Sequence, residues 1–274
     1  MIGHKAASNH AKMETWIYTV NTEATTAGGR TAAIPFTLDE YPTDRQQLIV
    51  DWGDGNIETL TPEDYTKTDP SASIHEYNEP GSYQIRISST VFSTITIDAY
   101  SYGENEGGVN SSTPFNPICI HLKHFNETLV SIQNPLPRLF GECIFRVLDA
   151  EKRKGIDNGG GIVGIWGSSR YFSDGYKCAT FLFYNCDKLV SIPNNLLTNY
   201  LNAMLTDSTG VETNVSCYET FKGCTSLQSI PDGVFQTDLN ILSFGGCFQG
   251  CTSLQSIPDG VFDSGNKAGE FTYC

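Results

Sequence analysis

Residues 221–235 read FKGCTSLQSIPDGVF and residues 248–262 read FQGCTSLQSIPDGVF, differing at one position and offset by 27 residues, Cys224 to Cys251. A fixed period of that length predicts a solenoid, in which each unit buries its apolar side only against the next. An earlier copy runs from Phe183 through Cys186, Leu189 and Ile192 to Pro193, and a degenerate one from Phe125 through Leu129 to Ile132. The three clear units, from Phe183, Phe221 and Phe248, follow F-x-x-C-x-x-L-x-x-I-P. The expected repeat core is therefore Cys186, Leu189 and Ile192; Phe221, Cys224, Leu227 and Ile230; and Phe248, Cys251, Leu254 and Ile257. The three-residue spacing suits a tight helical turn. The Leu-x-Ser-Ile-Pro segment is the expected short strand, ended by Pro193, Pro231 or Pro258. Asp232-Gly233 and Asp259-Gly260 supply the following turns.

The spacing between units is uneven, and the excess falls at 141–180 and 198–215. Insertions in a solenoid map to loops on one face, often the binding face. Trp166, Tyr171, Phe172 and Tyr176 lie in the longer insertion. They either form an exposed recognition patch or pack the insertion onto the repeats. The last residues, Phe271–Cys274, begin another unit, since Cys274 lies 27 residues after Cys247. The expectation is an end closed by another chain, or a protein that continues.

Residues 14–98 carry short aromatic and β-branched runs separated by Gly, Pro and Asp turns, which predicts a β-sandwich. Examples are Trp16–Val20, Leu48–Val50 and the alternating Tyr83, Ile85 and Ile87. Asp54-Gly55 is a hairpin-turn dipeptide. Asp51 and Asp54 could ligate calcium with Glu58 nearby, or Asp54 could bond only its own turn. Residues 1–13 are polar and read as a tail or a docking arm. Residues 99–116, rich in Gly, Ser and Asn, read as a linker.

The net charge of -14 argues against nucleic acid as a partner. No apolar run is long enough to span a bilayer as a helix, so membrane insertion is not expected. The first residues have no apolar core of a secretory signal, so another route to the destination is expected. Nine cysteines cannot all pair within one chain. Their recurrence at repeat positions reads as small buried hydrophobes, with disulfides or a metal site as alternatives. His121 and His124, three apart, could approach a common ion or serve only packing. There is no H-E-x-x-H, G-x-S-x-G or phosphate-loop pattern, so no enzyme is expected.

Val50-Asp51-Trp52-Gly53-Asp54-Gly55, His75-Glu76-Tyr77 and Pro80-Gly81-Ser82-Tyr83 stand in the order of the PKD-type immunoglobulin-like module, which residues 14–98 resemble. The repeat units over residues 117–274 resemble the BspA-like leucine-rich repeats of bacterial surface and phage proteins. These resemblances imply a mainly β chain with short helical turns: an N-terminal sandwich followed by a leucine-rich-repeat solenoid. They imply a non-enzymatic binding, structural or adhesive role among other protein chains, in an oligomer or larger assembly. The expected setting is a phage virion, as fibre, tail or capsid decoration, with host protein or glycan as a further partner. The alternatives are a bacterial cell-surface adhesin and a glycan-binding accessory module. No cofactor is implied beyond the calcium option.

Overall fold

A computed structural model of the chain describes residues 12–23, 29–35, 47–61, 74–90, 120–137, 179, 182–203, 215–238, 241–263 and 271–274. The alternating pattern around Trp16 folds as strand β1, Glu14–Asn21. Its partner β6, Ser82–Ser89, runs antiparallel along the whole length, from Glu14 opposite Ser89 to Asn21 opposite Ser82. Strands β3, Leu48–Asp51, and β4, Ile57–Leu60, form the hairpin that Asp54-Gly55 predicts. Strand β7, Leu129–Ile132, pairs antiparallel with the free side of β1. The sheet order is β4-β3-β6-β1-β7.

Because successive side chains alternate between faces, Trp16, Tyr18, Val20, Val50, Ile85 and Ile87 fall on one buried face. Helix α1, Ile120–Thr128, covers part of it. Phe125 lies 5.8 Å from the Trp16 ring and 5.2 Å, edge-on, from Tyr18. The remaining cover includes β2, Thr31–Ala33, paired with β5, Ile74–Glu76. His124 of α1 meets Thr31 Oγ1 through Nε2 at 2.8 Å, tying helix to ribbon. The fold is thus mainly β with little helix.

The expectation of a PKD-like, immunoglobulin-like sandwich is overturned. The five-stranded sheet is open, with β4 at one end and β7 at the other. Opposite it, among the described residues, stand two three-residue strands and a helix instead of a second full sheet. Strand β7 also joins the region of the expected repeats to the N-terminal sheet. Asn134 extends this junction: its side-chain Oδ1 accepts from the Ile17 N–H at 2.8 Å, and its Nδ2 donates to the Thr15 carbonyl at 2.6 Å. The amide side chain stands in for one more residue of strand.

The leucine-rich-repeat solenoid is overturned as well. The segments expected to supply one strand per coil do not build a curled sheet. Beyond the β1 pairing of β7 they make one isolated parallel bridge, Ser131 to Ser191, and bonds from the Val190 N–H to the Val130 carbonyl and from the Gln228 N–H to the Val190 carbonyl. The remaining described strands are two short parallel ones, β8 (Val215–Ser216) and β9 (Ile241–Ser243). The virion, phage, adhesion and structural-protein setting came through those two resemblances, and the open-sheet fold does not match it.

The repeats stack through turns. Within a unit the bonds run from residue i+3 back to i: Cys224 to Phe221 and Leu227 to Cys224, both 3.1 Å. This three-residue period is why Phe, Cys and Leu fall on one side. Between units, Phe183 donates to Thr220, Asn185 to Lys222, Phe221 to Cys247 and Gly223 to Gln249, at 2.8–2.9 Å. The Phe183, Phe221 and Phe248 rings stack at 5.2 and 5.6 Å, nearly parallel. A short helix, α2 (Thr198–Ala203), follows the first of these units.

Each turn places one residue in the left-handed region. Asn185, Gly223 and Gly250 occupy one such column, with φ of 57°, 77° and 78°. A Cβ on Gly223 would lie 2.2 Å from Asn185 Oδ1, whereas on Gly250 the nearest atom is 3.6 Å away. Gly250→Ala is expected to cost about 1–2 kcal/mol from the left-handed backbone alone. Gly223→Ala should cost about 1 kcal/mol more, because Asn185 must leave its rotamer. Adding Asn185→Gly should recover that extra part, as urea unfolding of the four chains will show.

Candidate functional site

Two surfaces bring together residues singled out in the sequence. The first is the β3–β4 hairpin. Gly53 has φ of 82°, and a Cβ there would lie 2.4 Å from the Gln84 carbonyl, so only glycine fits. The turn presses Asp54 against β5. Asp54 Oδ1 accepts from the Asn56 N–H at 2.9 Å, and Oδ2 accepts from Asn56 Nδ2 and meets His75 Nε2, each at 2.9 Å. The buried His75 ring stacks on Trp52 at 4.8 Å and meets Tyr77 edge-on at 4.7 Å. Tyr77 donates its hydroxyl to the Trp52 carbonyl at 3.0 Å and stacks on Tyr83 at 3.7 Å. The three motifs that suggested a PKD module therefore converge on one polar–aromatic cluster, although the sheets around it form no sandwich.

Asp51 Oδ1 accepts from the Gly53 N–H at 3.0 Å, so both candidate calcium ligands bond their own turn. Among the described residues no group of three or more His, Cys, Asp or Glu side chains is placed to hold a metal ion. Burial pushes the Asp54 carboxyl upward, but the hydrogen bonds from His75 and Asn56 outweigh it and hold it below the ordinary carboxylate range. Burial drives the Tyr77 phenol well above its ordinary range, so it acts here as a hydrogen-bond donor. The chemistry of the cluster is that of a locked turn: a carboxylate anchored by an imidazole and an amide.

The second surface is the end of the stack. Cys186, Leu189, Ile192, Phe221, Cys224, Leu227, Ile230, Phe248 and Cys251 are buried, whereas Leu254 is only partly so. Ile230 is 3% exposed but its counterpart Ile257 is 38% exposed, within nearly identical sequences. Phe271 and Tyr273 are also exposed, at 46% and 77%, with Phe271 packed on Phe244 and Phe262. Trp166, Tyr171, Phe172 and Tyr176, the candidate recognition patch, lie outside the described residues, as does the 99–116 linker.

The thiols line the stack. Cys186, Cys217, Cys224, Cys247 and Cys251 are free and buried, and Cys274 is free and exposed. Each later thiol donates to an earlier unit: Cys224 Sγ to the Phe183 carbonyl at 3.2 Å, and Cys251 Sγ to the Phe221 carbonyl at 3.1 Å. Burial raises the Cys224 and Cys247 thiols, and the contact with Cys224 followed by burial raises Cys251. The sequence reading missed the left-handed columns. Aligning Asn185 with Gly223 and Gly250 would have shown them, since Asn is the commonest substitute for Gly in that conformation.

Comparison with protein-family models, with curated proteins and with solved structures finds no match for this chain.

Two outcomes follow from this geometry. A carboxyl with a lowered folded pKa stabilises the fold above its unfolded pKa of about 3.9, and that share is lost as pH falls through the lower folded value. Asp54→Asn should therefore cost about 1–2 kcal/mol near neutral pH, with the gap to the parent closing in melting curves as the pH falls below that unfolded value. Alkylation with iodoacetamide, read by peptide mass spectrometry, should label Cys274 in the folded chain. It should label the five buried thiols only on unfolding.

Proposed function

We propose that this chain is a non-catalytic binding protein that joins other protein chains, with the apolar surface at Ile257 of its turn stack as the contact. The observation that carries the reading is the contrast between Ile230 and Ile257. The same sequence leaves Ile230 3% exposed and Ile257 38% exposed. Burying an isoleucine or phenylalanine side chain is worth about 1.5–3 kcal/mol. A partner over Ile257 therefore gains what Ile230 already gains inside the stack. The other conspicuous constellation, His75 with Asp54, is engaged in holding a hairpin and stacking between aromatic rings, which suits a structural duty.

The excess of acidic residues supports a protein partner over nucleic acid, because a phosphate backbone would be repelled. The test is size-exclusion chromatography of extracts from cells that make the protein. The parent chain should elute in a complex well above its own 30.1 kDa. The double variant Ile257→Asp, Phe271→Asp should elute at monomer size while melting within a few degrees of the parent, as substitutions of exposed residues usually do. Equal elution of the two chains would overturn the reading.

A further inference from the structure

Two histidines are buried among the described residues, and their surroundings are opposite in kind. His75 is 9% exposed and His124 5%. His75 turns both ring nitrogens to carboxylates, Nε2 to Asp54 at 2.9 Å and Nδ1 to Glu58 at 3.9 Å. A proton added there meets negative charge. His124 instead turns Nε2 to a neutral hydroxyl, Thr31 Oγ1, at 2.8 Å. A hydroxyl can donate to a neutral imidazole or accept from a charged one, so the bond itself survives protonation. The charge is what does not fit, because a cation held out of water without a partner costs far more than a neutral ring.

Helix α1 carries this ring to the place where three parts of the molecule meet. Toward the β2–β5 ribbon it offers His124 to Thr31. Toward the sheet, Phe125 packs on Trp16 and Tyr18. Toward the stack, Asn126 Nδ2 donates to the Tyr184 carbonyl at 2.9 Å, and the Glu127 carbonyl accepts from Lys188 Nζ at 2.6 Å. The segment 124–127 thus ties ribbon, sheet and stack together.

The charged groups around His124 do not compensate a proton. Burial holds the imidazole below its ordinary range, and Glu127, three residues along the same helix, favours the charged ring without outweighing that. On β2, Arg30 beside Thr31 is itself a cation, turned to Glu76 at 3.0 Å and to the Asn78 carbonyl. On the sheet, Tyr18 is kept neutral by burial and Trp16 carries no charge. On the stack, Lys188 brings a second positive charge to the helix.

We propose that His124 is an acid-operated latch: a proton on its ring lifts helix α1 off the β2–β5 ribbon and loosens the joint between sheet and turn stack. The fold holds His124 neutral, whereas the unfolded chain takes up a proton near the ordinary value of about 6.5. Stability from this group is complete above that value and declines as pH falls through it toward the lower folded value. The latch is therefore shut at neutral pH and opens in mild acid. It is independent of the contact at Ile257.

The test is hydrogen exchange of the full chain, read by NMR at about pH 7.5 and about pH 5 and corrected for the intrinsic pH dependence of exchange. Amides of Thr128 and of strand β2 should lose roughly tenfold in protection at the lower pH, while Tyr18 and Ile85 in the β1–β6 ladder keep theirs to within about twofold. In His124→Gln, whose amide still reaches Thr31 but takes no proton, Thr128 and β2 should change by less than about twofold. Equal loss in parent and variant overturns the latch, as does a loss that extends evenly over the β1–β6 ladder. Should the variant not fold, the His124 ring signals of the parent decide. They should titrate below 6.5, with the Thr31 and Phe125 amides shifting in step. Titration at or above 6.5, or α1 amides that follow His75 instead, overturns it.

Discussion

Burial in the C-terminal half of this protein is handed from one unit to the next, and the rest of the arrangement depends on it. Phe221 is buried because Phe183 lies on one side of it and Phe248 on the other. The hydrogen bonds that hold the rings at this spacing run between turns, from Asn185 to Lys222 and from Gly223 to Gln249. Such bonds need a backbone that reverses within one residue, which explains the left-handed columns. They also need close approach, which explains why Asn185 faces a glycine at position 223. Two side chains cannot stand side by side there. The apolar repeat and the glycines are therefore one constraint seen twice.

The first unit is where this stack meets the sheet. Leu129–Ile132 answers to the repeat through its Leu and Ile, yet its backbone pairs with β1. On its other side the Val130 carbonyl accepts from the Val190 N–H at 2.8 Å. One four-residue segment thus carries both the antiparallel ladder and the first contact of the stack. Phe125 repeats this double duty with side chains, since it holds the repeat's Phe position and packs on Trp16 and Tyr18. The sheet and the stack are consequently coupled, and the core runs continuously from Trp16 to Val261.

Much of the local structure was legible in the residues. Period-two alternation around Trp16 and Ile85 marks strands, Asp54-Gly55 marks the hairpin, and the three-residue spacing of Phe221, Cys224 and Leu227 marks successive turns. The higher architecture was not legible, for a physical reason. A motif such as Trp52 with His75 and Tyr77 specifies how a hairpin is pinned to a neighbouring strand; it says nothing about how many strands lie opposite. Likewise, Leu-x-Ser-Ile is compatible with a strand, but a strand needs a partner in register. Only Leu129–Ile132 finds one, in β1. Cysteine burial was readable because repetition at one position implies stacking. The pairing of β7 with β1 was not, because it joins residues more than a hundred positions apart.

The asymmetry of the stack has a consequence for how its ends differ. The first unit gives its backbone to β1, so it is fixed by bonds from both sides. The last unit receives bonds from Gly223 to Gln249 and from Phe221 to Cys247, and on its far side Gly246 donates to Thr272. Its own turns, Cys251 to Phe248 and Leu254 to Cys251, remain closed at 3.0–3.1 Å. Local bonds therefore set the shape of the end unit before anything covers it. A surface shaped in advance loses less entropy on binding than a disordered one.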